Sequence, residues 1–168
     1  MTAPAHTHEQ HLAELLTIRH TMGHEGRPSD FRYCSLFCLL LHEGSSFTPA
    51  PLPDDVEEGM PGHCWTEALL LAERTGLYYV EGVALYFGVL IEHAWCATAD
   101  GTAVDPTWSE PADAYAGIPM EAADAGRIIR GQHHPVLYVA DGMTVGDLLR
   151  TGLPEGLAAD AGRRFTPA

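Results

Sequence analysis

Residues 64–74, CWTEALLLAER, begin the stretch that decides the fold of this 168-residue chain. They are strong helix formers without glycine or proline, which predicts a helix that begins at Cys64. The pattern then changes, because LYYVEGVALY (77–86) and VLIEHAWCAT (89–98) are rich in β-branched and aromatic residues. These two segments predict strands joined by a tight turn at Phe87–Gly88.

The thiol of Cys64 is the strongest candidate for chemistry in this stretch. The first turn of a helix presents backbone N–H groups and the positive end of the helix dipole, and both lower the pKa of a thiol. The same N–H groups suit the oxyanion of a tetrahedral intermediate. By contrast, Cys34 and Cys38 are predicted in a helix interior and Cys96 in a strand, where such a setting is absent. Cys64 is therefore the predicted nucleophile.

A nucleophilic thiol needs a base and an acceptor that orients the base, and His93 and Asp105 are the candidates. The strand predicted at 102–108, TAVDPTW, carries Asp105, and its register depends on the turn before it. If Asp100–Gly101 forms a two-residue turn, Cys96 faces Asp105 and His93 points to the opposite side of the sheet.

The alternative turn is a three-residue loop over residues 99–101, with a left-handed glycine at its third position and a bulge. Thr98 then pairs with Thr102, and Trp95 pairs with Asp105. His93 shares their face one diagonal step away, within reach of the carboxylate. The hypothesis of a Cys-His-Asp site therefore predicts this second register.

The order of Cys64, His93 in HAW and Asp105 in VDPTW resembles the transglutaminase-like branch of the papain-like superfamily. The resemblance covers roughly residues 60–110, and the same segment is similar to small uncharacterised proteins of actinobacteria and their phages. It implies an α+β fold in which the helix that bears the cysteine packs on an antiparallel β-sheet, here with additional N-terminal helices. It also implies acyl transfer through a Cys-His-Asp triad and a thioester intermediate.

Members of that branch often have a glutamine shortly before the cysteine and an asparagine a few residues after it. Here these positions hold His63 and Thr66 or Glu67. His63 is thus either a substitute oxyanion donor or simply part of the loop. The other candidates for substrate contact or oxyanion stabilisation are Trp65, Glu81, Trp95 and Trp108.

Two acidic residues of the predicted hairpin require separate interpretations. Glu81 interrupts an apolar strand and either has a buried partner or lines the cleft. Glu92 precedes His93 and so lies on the opposite strand face, which predicts a position outside the site. Trp95 and Trp108 are expected in the core or the wall of the site more readily than around a substrate.

The whole chain is expected to form one domain, since it is long enough to bury a core. Its predicted parts are a flexible N-terminus at 1–10, a helical part at 11–44, a loop at 47–62, a catalytic core at 63–140 and a helical tail at 141–168. The loop, FTPAPLPDDVEEGMPG, has four prolines, and a loop this long suits a function such as covering a site.

The remaining elements are predicted from local pattern. HLAELLTIRH (11–20) has helical spacing, and FRYCSLFCLLLHEG (31–44) predicts a buried helix capped by Ser29 or Asp30. On this helix Cys34 and Cys38 lie four apart, a spacing that could suit a metal but without further ligands indicates packing. The later elements are a helix at 120–131, a strand at 135–140 and a helix at 143–152 capped by Thr144.

Composition limits the partners. The chain has 9 Lys and Arg residues against 23 Asp and Glu, a formal net charge of −14. Nucleic acids and anionic membranes need a cationic face, so neither is expected as a partner. No apolar run approaches the roughly 18–20 residues that span a bilayer, and the N-terminus lacks a secretory pattern. The protein is expected in the cytoplasm, with its cysteines as free thiols.

The predicted function is therefore a cysteine-dependent acyl-transfer enzyme: an amide or thioester hydrolase, a transamidase or an acyltransferase, with a small-molecule or peptide substrate and no cofactor or metal. One alternative is an inactive binding domain of the same fold. The other is a metal-binding protein, because the chain has ten histidines. The candidate ligands are His6, His8 and His11, or His133 and His134 beside His63. The sequence leaves the oligomeric state open.

Overall fold

The computed structural model describes residues 7–22, 30–137 and 143–165, with the backbone alone at 143–146. The described helices are α1 (His8–Met22), α2 (Leu36–Glu43), α3 (Cys64–Thr75), α4 (Ala122–Gln132) and α5 (Met143–Thr151). The described strands are β1 (Ser45–Phe47), β2 (Tyr78–Tyr86), β3 (Val89–Ala97), β4 (Ala103–Val104), β5 (Ala114–Met120) and β6 (Arg163–Arg164). The predicted α+β class is confirmed.

The six strands form one sheet in the order β4-β3-β2-β5-β1-β6, and every pairing is antiparallel. Helix α3 packs on one face, where Ala68 and Leu69 share a buried cluster with Ala94 and Cys96 of β3. The thiol of Cys96 donates to the Ala68 carbonyl at 3.0 Å. The cysteine-bearing helix therefore lies directly against the central hairpin.

The hairpin formed by β3 and β4 has the register that the Cys-His-Asp hypothesis requires. Ala97 pairs with Ala103, and the Thr98 N–H donates to the Thr102 carbonyl at 3.0 Å. Gly101 has a φ of +86°, the left-handed conformation that glycine adopts without strain. The prediction of a three-residue loop is confirmed, as is the tight turn at Phe87–Gly88 between β2 and β3.

On the other face of the sheet a smaller cluster surrounds Trp95, which is fully buried together with Val80 and Tyr115. Gly117 of β5 lies under the indole, and a Cβ at this position would come within 2.7 Å of the ring. The glycine therefore makes room for Trp95, whose ring lies parallel to that of His93.

The second helix is shorter than predicted. It begins at Leu36, and Ser35 caps it by accepting from the Cys38 N–H at 3.1 Å; the predicted caps were Ser29, outside the described residues, and Asp30. The preceding residues pair elsewhere, because the Tyr33 N–H donates to the Leu149 carbonyl of α5 at 2.8 Å. This tertiary pairing replaces the first turns of the predicted helix.

The termini differ from the prediction as well. Residues 8–10, predicted flexible, are the first turn of α1, while 1–6 lie outside the described residues. In the tail, helix α5 begins at Met143, so Thr144 lies inside it and is not its cap. The tail also returns to the sheet, since β6 pairs with β1.

Two strand assignments need correction. Residues 135–137 are irregular, although PVLYVA predicted a strand; 138–140 lie outside the described residues. Strand β5 was missed, because its sequence AYAGIPM contains glycine and proline. Phe47, assigned to the loop, ends β1. Within the described ranges, no helix combines the length and apolarity needed to cross a bilayer.

Candidate active site

Cys64 is the first residue of α3, as predicted. The chain reaches it through Gly62, which has a φ of +83°, and through the N-cap residue His63. The first intrahelical hydrogen bond runs from the Glu67 N–H to the His63 carbonyl at 3.0 Å. The N–H groups of residues 64–66 therefore point out of the helix beside the half-buried thiol, where they can stabilise negative charge.

His93 and Asp105 form a buried pair. The Nε2 atom of His93 lies 2.7 Å from Oδ2 of Asp105, and the two side chains are 4% and 2% exposed. Since Nε2 is engaged by the carboxylate, Nδ1 is the ring nitrogen that remains for Cys64. The register of the hairpin brings these two residues together, although β4 itself ends one residue before Asp105.

Asp105 is held by three further hydrogen bonds. Its Oδ2 accepts from the Tyr115 hydroxyl at 3.0 Å, and its Oδ1 accepts from the N–H and the hydroxyl of Thr107 at 3.0 and 3.1 Å. The Tyr115 hydroxyl accepts in turn from the Ala112 N–H at 3.0 Å. These contacts fix the carboxylate in one orientation, which fixes the imidazole that it binds.

Sequence reasoning missed both Thr107 and Tyr115. The spacing of Asp105 and Thr107 is a signal that was available, because an aspartate commonly accepts from the backbone N–H two residues later. Tyr115 gave no comparable signal, since it lies on the strand that was not predicted.

The ionisation of Cys64 and His93 is coupled. Burial by itself raises the pKa of Cys64, but the hydrogen bond and charge of His93 and the N–H groups of Ala94 and Trp65 lower the pKa below its usual value. Burial alone lowers the pKa of His93, but its bonds to Asp105 and Cys64 raise that pKa to about 9. Each group therefore stabilises the charged form of the other, which favours thiolate and imidazolium together.

A cavity of about 300 Å³ opens in front of the thiol. Its wall is formed by Cys64, Trp65, Glu92, His93, Ala94 and Pro135. Trp65, one of the predicted contact residues, therefore faces the space that a substrate would fill. The cavity is lined mainly by apolar groups, and Glu92 is the acidic side chain in its wall.

Glu92 was predicted outside the site, and this prediction is wrong. It does share a strand face with Ala94 and Cys96, opposite in parity to His93. However, α3 packs on that same face and brings Cys64 to it. Burial raises the pKa of Glu92 above its usual value.

Trp95 and Trp108 lie beside the imidazole and not in the wall of the cavity. Trp95 is fully buried in the core, so the structure does not support it as a substrate contact. Trp108 stacks on His93 with ring centroids 3.9 Å apart. Both residues thus support the imidazole of His93.

Glu81 has buried partners and does not line the cavity. Its carboxylate accepts from the Tyr79 hydroxyl at 2.6 Å and from the N–H groups of Val136 and Leu137 at 2.7 and 2.6 Å. This binding explains why residues 135–137 are irregular. It also fixes the segment that begins at Pro135, which forms part of the wall of the cavity. Glu81 therefore supports the cavity without lining it.

Neither His63 nor the loop at 47–62 is part of the wall of the cavity. His63 is exposed, and its Nδ1 lies 3.3 Å from the Pro61 carbonyl oxygen. In the loop, the Gly59 N–H donates to the Pro106 carbonyl at 2.6 Å, so the loop braces the turn that carries Asp105.

The histidines that the sequence suggested as metal ligands do not form a site within the described residues; His6 lies outside them. His134 bonds locally, with its Nδ1 2.9 Å from the Pro135 carbonyl oxygen. The potential ligand group that the described residues do contain is His20 of α1 with Cys34, which precedes α2, and Cys38 of α2.

Comparison with known proteins leaves the site to be judged on its own geometry. No protein-family model matches this chain, and neither the curated proteins nor the solved structures include a match.

Proposed function

We propose that the chain is a cysteine-dependent acyl-transfer enzyme with a papain-like, transglutaminase-like core, in which Cys64 is the nucleophile, His93 the general acid and base, and Asp105 the orienting residue. The observation that carries the proposal is the 2.7 Å contact between His93 Nε2 and Asp105, together with the hydrogen bond between the same imidazole and Cys64, which lies at a helix N-terminus. A buried, oriented base next to a thiol of lowered pKa is the arrangement that thiol nucleophiles require.

In the first half-reaction, the Cys64 thiolate attacks the carbonyl carbon of an amide or thioester, and a C–S bond forms. The negative charge that develops on the carbonyl oxygen is stabilised by N–H groups at the start of α3. As the tetrahedral intermediate collapses, the imidazolium of His93 gives its proton to the departing amine or thiol. An acyl-thioester on Cys64 and a neutral imidazole remain.

In the second half-reaction, water or an amine enters the cavity and attacks the thioester carbonyl. His93 takes the proton of the entering group, the C–S bond breaks, and the thiolate and imidazolium are restored. Hydrolysis and transfer to an amine differ only in this entering group.

The composition of the cavity favours, as the entering group, a neutral amine that carries a separate cationic group at its distal end. Trp65, Ala94 and Pro135 supply apolar surface, and Glu92 places a carboxylate at the same cavity. A protonated amine or guanidinium with a short apolar stem complements both features. The chain as a whole, with a net charge of −14, would also attract such an acceptor.

The direct test is covalent labelling of Cys64. At pH 6–7 we expect iodoacetamide and a p-nitrophenyl ester to modify Cys64 of the native protein, measured by intact mass and peptide mapping. Cys64→Ala removes the labelling, whereas Cys96→Ala retains it, since burial raises the pKa of Cys96 far above its usual value. If the folded native protein resists both reagents at pH 7, the proposal of an enzyme is refuted and an inactive binding domain is favoured.

A further inference from the structure

Two buried thiols and an imidazole meet at the N-terminal helices, away from the proposed active site. His20 lies in the last turn of α1, Cys34 precedes α2, and Cys38 lies in the first turn of α2. Their ligand atoms all lie within 4.8 Å of one another, and Cys34 Sγ is 3.0 Å from His20 Nδ1. Within the described parts of the chain, this is the one group of three His, Cys, Asp or Glu side chains so arranged.

This geometry supplies what the cysteine pair lacked in the sequence. Two cysteines four residues apart indicate packing unless a further ligand reaches them. The third ligand comes from a different helix, because α1 and α2 pack against each other. It is fourteen residues from Cys34 along the chain, and the fold alone brings it there.

We propose that His20, Cys34 and Cys38 form a zinc site. Two thiolates and one imidazole are the donors that Zn²⁺ prefers, and three protein ligands leave a fourth tetrahedral position for water. Thiolate donors also disfavour Mg²⁺ and Ca²⁺, which require oxygen ligands.

Charge and burial are consistent with a bound dication. Cys34 and Cys38 are 9% and 6% exposed, so two bare thiolates at this place would be costly. Zinc binding releases both thiol protons to solvent, and the two thiolates neutralise the charge of the ion. His20 donates the lone pair of Nδ1 to the metal and therefore binds as neutral imidazole.

The site would join the end of α1 to the start of α2. Its consequence is stability of the N-terminal helices, because a metal that binds only the folded chain stabilises it in proportion to the logarithm of its concentration. The Ser35 hydroxyl, which accepts from the Cys38 N–H, fixes the start of α2 and thereby the direction of both thiols.

The alternative for the same contacts is packing, in which the Cys34 thiol donates to His20 Nδ1 and no ion is needed. The two states differ in the charge on sulfur, since packing keeps thiols and zinc requires thiolates. A spectroscopic probe of thiolate coordination therefore separates them directly.

The test uses Co²⁺ as a probe in the full chain carrying Cys64→Ala, which removes the reactive thiol. We expect an intense thiolate-to-cobalt charge-transfer band that saturates at one Co²⁺ per chain and disappears when Zn²⁺ is added. We also expect Zn²⁺ to raise the Tm relative to the same protein in EDTA. A folded protein without this band, or with an unchanged Tm, would overturn the proposal.

Variants assign the ligands. Cys34→Ser is close in size and should keep the fold while reducing the band to roughly half, because one of two thiolates is lost. His20→Ala should shift the band and weaken Zn²⁺ binding at least tenfold. If both variants bind Co²⁺ as the parent does, the metal lies elsewhere, for instance at the N-terminal histidines, and the assignment fails.

Discussion

The imidazole of His93 lies flat against the indole of Trp108, with ring centroids 3.9 Å apart and planes 9° from parallel. Tyr86 continues the stack on Trp108 at 4.7 Å and 26°. The π face of an indole is negative, so it attracts a cationic ring. The stack therefore both limits rotation of the imidazole and favours its protonated form.

Replacing Trp108 is expected to weaken the ion pair of Cys64 and His93. Loss of a cation–π contact of about 1 kcal/mol lowers the equilibrium constant between the thiolate–imidazolium pair and the neutral pair several-fold. Trp108→Ala should therefore raise the pH at which Cys64 becomes reactive to iodoacetamide and lower kcat/KM about tenfold. Trp108→Phe, which retains an aromatic face, should keep both the pH of Cys64 reactivity and kcat/KM close to those of the native protein. If Trp108→Ala alters only the Tm, the indole has a structural role alone.

The pH dependence of alkylation should differ from that of acyl transfer. Because the pKa of Cys64 is lowered, thiolate is lost only as the pH falls through that lowered value, so alkylation should extend below the pH range of an ordinary thiol. Above a pH of about 9, the pKa of His93, the imidazolium loses its proton while the thiolate of Cys64 remains. Acyl transfer should then decline because the leaving group has no proton donor, but alkylation should not.

The measurement is the rate of iodoacetamide labelling and of amide or thioester turnover between pH 5 and 10. His93→Ala is the control, and the pKa of its thiol should be higher than in the native protein, because burial still raises it while the hydrogen bond and charge of His93 are lost. Native and His93→Ala proteins with the same alkylation profile would contradict an ion pair at this site.

The orientation of His93 should depend on each bond to Asp105. Asp105→Asn retains the shape but removes the charge that stabilises the imidazolium. We therefore expect kcat/KM to fall 100-fold or more, which corresponds to a loss of about 3 kcal/mol of transition-state stabilisation. Tyr115→Phe removes one hydroxyl and leaves the Ala112 N–H without this acceptor. It should reduce kcat/KM by roughly tenfold and the free energy of unfolding by about 1–2 kcal/mol.

The comparison between the two variants tests the role of Tyr115 as a positioning residue. Tyr115→Phe should lower kcat more than it raises KM, and it should shift the pKa of His93 seen in the turnover profile, because it changes the carboxylate that binds the imidazole. A change in unfolding free energy without either kinetic change would show that the hydroxyl only supports the fold.

The strands β2 and β3 and the helix α3 were predictable because their signals are local. The register that leads from Thr98 to Asp105 was left open, because Asp100–Gly101 suits a two-residue turn as well as the three-residue loop with a left-handed glycine. Glu92 shows the limit of the same reasoning: its strand face was assigned correctly, but only the packing of α3 reveals that this face carries the cavity. The parts played by Tyr115 and His20 could not be predicted, because each depends on a tertiary contact with a residue of another element.

Gly101 should be essential for the register because of both its conformation and its neighbour. A Cβ at this position, with φ at +86°, would come within 2.7 Å of the Gly162 Cα atom. Gly88, with φ at +77°, has nothing within 4 Å of such a Cβ and serves as the matched control. Gly88→Ala should cost about 1 kcal/mol of unfolding free energy, and Gly101→Ala about 2–3 kcal/mol.

Only Gly101→Ala should also reduce the reactivity of Cys64, since it displaces the strand that leads to Asp105. Urea unfolding and iodoacetamide labelling at pH 7 measure the two effects. Equal losses of stability and unchanged labelling in both variants would mean that the turn does not control the site.

Glu92 should determine which acceptor resolves the acyl-enzyme. With a p-nitrophenyl ester as acyl donor, two amines of matched length are compared as acceptors. The diamine that remains protonated at its distal end should react with the acyl-enzyme faster than the monoamine with an uncharged distal end. Glu92→Gln should remove this preference, which we expect to be about two- to fivefold, because an ion pair of a partly exposed carboxylate contributes at most about 1 kcal/mol. Since the pKa of Glu92 is raised, the preference should also decline as the pH falls through that value.

Glu110→Gln is the control for net charge, because Glu110 is exposed and lies outside the wall of the cavity. It removes the same formal charge from the chain and should leave the ratio of the two amines unchanged. Partition between the amines is read from the acylated products by mass spectrometry. If both variants lower the ratio equally, the long-range field of the acidic chain selects the acceptor; if neither does, Glu92 has no part in recognising the amine.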